Sequence, residues 1–175
     1  MPQEIKPRRN RFKEAYVRAL LFVFGRALQT ISGRDPILRS ELARWPENIL
    51  VLYKILPDGP RMALLRNSRG RLEYKGSAAR EEDAGLVLTI KNLESAFLVM
   101  SLQLGTAQAY AEHRVGVRGN VMVAMSLIQC LSVLITYLAP ERFARRVVKR
   151  LPAIPAGRKL LYRFFILFIG VPLGL

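Results

Sequence analysis

Asp83 to Leu138, DAGLVLTIKNLESAFLVMSLQLGTAQAYAEHRVGVRGNVMVAMSLIQCLSVLITYL, decides the fold. It opens with an apolar, β-branched run, Leu86 to Ile90, which reads as a strand. Helix-period text follows from Asn92 to Leu104, Gly105 breaks it, and a shorter helical stretch runs from Thr106 to Glu112. A brief strand ending in a turn, Val115 to Asn120, leads into a long uncharged helix. Nearly every element is too apolar to be solvated on more than one face, and none brings a catalytic constellation with it. That combination points to a cavity holding something apolar.

Towards the N-terminus the period changes twice. Met1 to Asn10 reads as a frayed basic arm. In Arg11 to Ile31, apolar residues recur at steps of three and four (Phe12, Tyr16, Ala19, Leu20, Val23, Ala27, Ile31), as on a helix. Ser32-Gly33 ends it. Asp35-Pro36, a cap followed by a first-turn proline, starts a second helix that runs until Trp45-Pro46. Asn48 to Leu56, Arg61 to Arg66 and Arg71 to Lys75 then read as strands. Pro57-Asp58-Gly59-Pro60 and Asn67 to Gly70 are the turns of an antiparallel meander. Ala78 to Asp83, the most acidic stretch, is expected to be a solvated connection. Arg114 to Arg118 supplies a fifth strand, with Gly116 weakening it or making a bulge.

Val121 to Ala139 contains nineteen residues without a charge, and Ser126, Gln129, Ser132 and Thr136 form one mild polar stripe. Three readings stand for it: a buried core helix, the lining of a tunnel, or a membrane span. Pro140 then introduces Glu141 to Leu151, ERFARRVVKRL. Phe143, Ala144, Val147, Val148 and Leu151 fall on one arc of this helix, with Arg142, Arg145, Arg146, Lys149 and Arg150 opposite. A basic amphipathic helix of this kind suits an anionic membrane surface, the other reading being a docked helix with solvated arginines. Leu160 to Leu175 holds one charge, Arg163, and Phe164, Phe165 and Phe168. It is short for a span, and reads either as a segment dipping into one leaflet or as a tail folded back over the tunnel mouth or against a second subunit.

Composition narrows the function. The chain has 175 residues, 51% hydrophobic, with 28 Lys+Arg against 13 Asp+Glu and a formal charge of +15. A chain this basic and this apolar fits a partner that is anionic outside and oily beneath, as a phospholipid bilayer is. Nucleic acid is disfavoured: the basic residues sit beside oily segments, and no reading motif appears. The single Cys130 excludes an internal disulfide and a cysteine zinc site, and reads as a buried inert thiol. His113 is the only histidine, and no GxSxG, GxGxxG or Walker sequence occurs, so no catalytic residues, metal ligands or cofactor site are assigned. Glu112-His113-Arg114 reads as a surface turn or a polar group at a tunnel entrance.

Asp83-x-x-Leu-x-Leu-x-Ile, the helix after it, and Ala109-Tyr110…Val115-x-Val117-x-Gly119-Asn120 before a long apolar helix resemble the sterol carrier protein type 2 domain over roughly residues 48–138. Asn120 stands where Asp is usual in that family, and His113-Arg114 where a Gly normally precedes the last strand. The resemblance implies an α+β fold: a five-stranded, mostly antiparallel sheet, covered on one face by helices that enclose an apolar tunnel. It also implies non-enzymatic binding of acyl chains, sterol-like molecules, phospholipids or isoprenoids. Some bacterial stand-alone members assist quinone biosynthesis by holding a hydrophobic intermediate.

The expectation is thus three segments: a basic arm with helices (1–46), a lipid-binding domain (47–139), and a basic helix with an apolar tail (140–175). The expected apolar walls are Leu88, Ile90, Phe97, Met100, Leu104, Met122, Met125 and Leu131. Arg142, Arg145, Arg146, Lys149, Arg150, Phe164, Phe165 and Phe168 are expected at a membrane surface. The protein would be cytoplasmic, peripherally bound to the inner face of the membrane, with a homodimer left open. The rivals are an integral membrane protein and an assembly subunit whose apolar helices bury against a partner.

Overall fold

The computed structural model describes residues 10–140, 144 and 154–173. Strands β1 (Leu50–Ile55), β2 (Arg61–Arg66), β3 (Leu72–Gly76), β4 (Leu86–Ile90) and β5 (Val115–Gly119) form one sheet in the order β3-β2-β1-β4-β5. The helices are α1 (Arg11–Ser32), α2 (Pro36–Leu42), α3 (Leu93–Met100), α4 (Thr106–Ala111) and α5 (Val121–Leu138). After them α6 (Ala156–Phe165) continues through a π-helical turn, Ile166–Gly170, into Val171–Leu173. The basic segment read at 141–151 lies outside the described residues except for Ala144, as does the arm before Asn10.

Side-chain caps fix most helix starts. Asn10, Asp35, Asn92 and Asn120 each accept a backbone N–H from the first turn of the helix that follows, satisfying donors the helix itself leaves unpaired. The expected helix through Leu104 stops earlier, at Met100, where Ser101 donates both its N–H and its hydroxyl to Phe97 O and its Oγ accepts from Gln103 Nε2.

The sheet is mixed instead of mostly antiparallel. β1–β2, β2–β3 and β4–β5 are antiparallel, whereas β1 and β4 run parallel, with Tyr53 opposite Leu88. The reason lies in the connection after β3. Two reversals leave β3 running the same way as β1 and hence β4, so the chain must travel back along the sheet before β4 begins. Residues 77–85 make that return across the face turned away from the helices. There Ala79 and Ala84 cover a small cluster of Leu52, Ala63 and Val87, and Glu81 pairs with both Lys54 and Arg118. The acidic stretch is the solvated connection expected, with Ala78, Arg80, Glu82 and Asp83 exposed, and it also straps the back of the sheet through Ala79 and Glu81. The register runs regularly through Gly116, which pairs with Thr89, and the irregularity falls instead between Ala63 and Leu64.

One core fills the helical side. Val51, Tyr53, Ile55, Met62, Leu64, Leu86, Leu88 and Ile90 from the sheet meet Val17, Leu21, Leu28 and Ile31 of α1, Leu38 and Leu42 of α2, and Leu127, Cys130, Leu134 and Tyr137 of α5. α1 lies so close to β3 that a Cβ on Gly25 would come within 2.4 Å of the Tyr74 ring. At the same edge Ser32 Oγ accepts the Leu72 N–H and Gln29 Oε1 accepts the Tyr74 N–H.

α6 docks on α5 and α1 around a buried carboxylate. Asp35, wholly inaccessible, accepts the N–H groups of Ile37 and Leu38 on Oδ1. Its Oδ2 accepts from Tyr137 Oη at 2.5 Å and Arg158 Nη2 at 3.0 Å. Tyr162 stacks on Tyr137 at 5.0 Å, and Arg163 donates to the carbonyls of Tyr137 and Ala139. Ile166 is fully buried, and Gly170 sits where a Cβ would lie 2.2 Å from Thr30 Oγ1.

Candidate functional site

An apolar cavity lies between the sheet and α5, and the strand register explains its floor. Met62 pairs with Tyr53, Tyr53 with Leu88, and Leu88 with Val117, so one row of side chains crosses β2, β1, β4 and β5. All four line the cavity. The roof is one face of α5, namely Leu127, Ile128, Leu131 and Ile135, spaced so that they share an arc. Phe24 of α1, Val99 and Met100 of α3, and Leu102 and Tyr110 close the sides. Leu102 sits at φ 59°, in the left-handed region that costs a leucine about 1–2 kcal/mol, and packs against the cluster of Ile135 and Ala144.

No acid, base or histidine belongs to this wall. Its polar atoms come from two phenols. Tyr53 is 9% exposed, and its hydroxyl has no hydrogen-bond partner among the described residues. Burial raises its pKa, so it stays a neutral donor at any physiological pH. Tyr110, 60% exposed, stands at the rim beside an exposed polar group, in which Glu112 Oε2 accepts from Arg114 Nε and Arg114 Nη1 donates to Ser95 Oγ. The Arg114 and Gln108 side chains hold the Glu112 carboxyl below its ordinary pKa.

The cavity holds about 80 Å³. An engineered cavity of ~150 Å³ takes up benzene, so a longer guest requires these walls to part. Met62 and Met100 suit that, because their unbranched side chains repack at small cost.

Leu88, Met100 and Leu131 of the expected wall residues line this cavity. Ile90 is packed solid in the core, Leu104 is buried away from the cavity, and Phe97 is half-buried against the Tyr16 ring at 5.2 Å. Met122 and Met125 do not line it. They are 73% and 57% exposed, roughly half a turn of α5 away from the roof residues. Sequence reading missed Tyr53, Met62, Val117, Leu127, Ile128 and Ile135. Tyr53, the one aromatic residue in the strand LVLYKI, was the one available signal. The polar stripe of α5 does not face the cavity either. Ser126 accepts from Trp45 Nε1 at 2.8 Å, and Ser132 and Thr136 donate to carbonyls of their own helix.

Of the expected membrane-surface residues, Phe164 and Phe168 stack at 4.7 Å and are 56% and 65% exposed, beside exposed Leu160 and Leu161. Phe165 instead lies under the Arg34 guanidinium, 4.4 Å from its ring centre. Arg142, Arg145, Arg146, Lys149 and Arg150 lie outside the described residues. α5 is, among the described residues, the helix long and apolar enough to cross a bilayer (mean hydropathy 2.1), with half of it buried.

A second recess of about 160 Å³ opens between the end of α1 and the β2–β3 turn. Its wall is mostly of polar residues, and two of its charged groups, Arg34 and Glu73, are engaged. Arg34 donates to Thr30 O, and Glu73 pairs with Lys75 and accepts from Asn67. It offers nothing to an apolar guest.

No protein-family model and no curated protein matches the chain. Among solved structures it is similar to a ubiquinone synthesis protein, UbiJ-SCP2, at 14% identity and a TM-score of 0.44, covering 70% of this chain and 96% of that one. It is also similar to the apo form of sterol carrier protein 2 from Yarrowia lipolytica (12% identity, TM-score 0.45, 71% and 94% covered). Sterol carrier protein 2 like 2 from Aedes aegypti is a third (11% identity, TM-score 0.40, 68% and 96% covered). These structures represent the family that the Asp83 to Asn120 passage resembles. Likenesses this distant say nothing of a ligand.

Proposed function

We propose that this protein carries a hydrophobic lipid without transforming it, holding an acyl, sterol-like, phospholipid or isoprenoid chain in the cavity under α5. The single observation behind this reading is a cavity with a floor from four strands and a roof from one helix face, whose wall has no carboxylate, lysine, arginine, histidine or cysteine. Such a wall gains about 0.8 kcal/mol for each methylene it removes from water and has no group with which to break a bond. The polar contacts of α5 to Trp45 and Asp35 are those of a core helix, which favours this reading over a membrane span. Native mass spectrometry of the gently extracted protein tests it: a co-purifying lipid is expected. Uptake of N-phenyl-1-naphthylamine should be lost in Ile128→Trp, which fills the roof. Uptake unchanged in a folded Ile128→Trp protein rejects the cavity as the site.

The proposal includes a place of work, the anionic inner face of a membrane on the cytoplasmic side. The sequence run Arg142, Arg145, Arg146, Lys149 and Arg150 supplies the charge, at on the order of 1 kcal/mol per residue near such a surface. Exposed Phe164 and Phe168 supply apolar contact. Flotation with phosphatidylserine vesicles should weaken as salt rises. It should vanish when Arg145, Arg146 and Lys149 are reversed in charge, and unchanged flotation would reject this role.

A further inference from the structure

Resting on the cavity reading above, we propose that Tyr53 selects the guest: the site takes a neutral lipid whose ketone, quinone, ester or hydroxyl oxygen reaches the floor and accepts a hydrogen bond from the Tyr53 hydroxyl. Tyr53 stands in the middle of the four-residue floor, between Met62 and Leu88. It is nine-tenths buried, and yet its hydroxyl bonds to no described residue. The wholly buried unpartnered side-chain atoms among the described residues are Arg26 Nε and Arg66 Nη1. The Tyr53 hydroxyl therefore keeps some accessible surface, and in the lining of an apolar cavity it has a proton to donate to a guest that comes and goes. The other buried phenol makes the contrast. Tyr137, fully inaccessible, donates to Asp35 at 2.5 Å.

The wall also sets the charge of the guest. No lysine, arginine or histidine lines the cavity, so a carboxylate or phosphate brought to the floor would lose its water and gain only one neutral donor. A neutral oxygen is desolvated at far smaller cost and recovers it with that same bond. An anionic head is therefore left at the rim, near Tyr110 and Arg114, while a neutral oxygen goes in.

Matched eleven-carbon probes test this: undecane, 2-undecanone and undecanoate, each displacing N-phenyl-1-naphthylamine from the full-length protein, from Tyr53→Phe and from Tyr162→Phe. Tyr53→Phe should weaken 2-undecanone roughly fivefold to tenfold, the scale of one neutral hydrogen bond, and leave undecane and undecanoate unchanged. Tyr162→Phe, whose hydroxyl donates to Arg34 O away from the cavity, should alter none of them. Equal ketone affinity in wild type and Tyr53→Phe overturns the assignment and leaves the cavity reading standing. An equal loss of ketone and alkane also overturns it, because it reports the packing of the ring and not its hydroxyl. If no probe displaces the reporter from wild type, the cavity reading itself fails and this inference with it.

Discussion

The docking of α6 rests on a charge that can be removed from either side, and the cost of doing so is calculable. Asp35 Oδ2 has two partners, Tyr137 Oη at 2.5 Å and Arg158 Nη2 at 3.0 Å. At 3.0 Å and an effective dielectric of ~20, the Asp35–Arg158 attraction is about 5 kcal/mol before desolvation. Arg158 keeps 31% of its side chain exposed, so solvent screening and its own lost hydration remove most of that. Arg158→Met, which retains the stem, should then cost about 1–3 kcal/mol. Tyr137→Phe should cost about 1.5–3 kcal/mol, the range for a hydrogen bond to a charged acceptor. The double variant strips Oδ2 of every partner among the described residues, so its loss should exceed the sum of the two single losses by about 1 kcal/mol. Urea unfolding at neutral pH, with matching slopes across the cycle, measures this. Hydrogen exchange should show residues 156–173 opening in Arg158→Met while β1 and β4 keep their protection. A variant within 0.5 kcal/mol of wild type, or strict additivity, would refute a charged, shared Oδ2.

Gly119→Ala should destabilise by about 3 kcal/mol or more: φ is +111°, and the new Cβ would lie 2.2 Å from the Gly85 carbonyl oxygen. Gly116→Ala, with open space at 3.9 Å, should change thermal stability little or raise it slightly. Cys130 is buried with its thiol pushed up to about 12, so iodoacetamide labelling at pH 8 should be as slow as unfolding and should not accelerate from pH 7 to 9 as a free thiol does. The Glu81 carboxyl is held below its ordinary value, first by the hydrogen bond from Lys54. Its folded pKa is thus depressed, and its contribution is present above the unfolded pKa near 4.5 and lost as pH falls through the folded one. Glu81→Gln should flatten the acid limb of the melting-temperature profile, and an identical limb in both proteins would remove Glu81 from the strap's attachment.

Local chemistry was legible in the sequence, and non-local geometry was not. Pro57 to Pro60, Asn67 to Gly70, Asp35-Pro36 and Gly119-Asn120 mark their turns and caps because the conformations needed there suit few residues. The direction of β4 was not readable, because it depends on where residues 77–85 run, which no local period encodes. α5 shows a second limit. It is apolar almost all round, so its composition carries no angular signal, and Met122 and Met125 were as plausible as Leu127 and Ile128 for the roof. Asp35 was legible as a cap. Its bonds to Tyr137 and Arg158, 102 and 123 residues away, had no trace in the pattern.

Ser32 and Gln29, reaching from α1 to the main chain of β3, bear on how copies of the molecule meet. By occupying the amides of Leu72 and Tyr74 they leave that rim of the sheet with little to offer an incoming strand. Among the described residues, the β5 margin, short and carrying Arg118, is the one that stays open to pairing. Growth by strand addition through the described residues therefore has one port, and it terminates at a two-fold pair instead of extending into a ribbon.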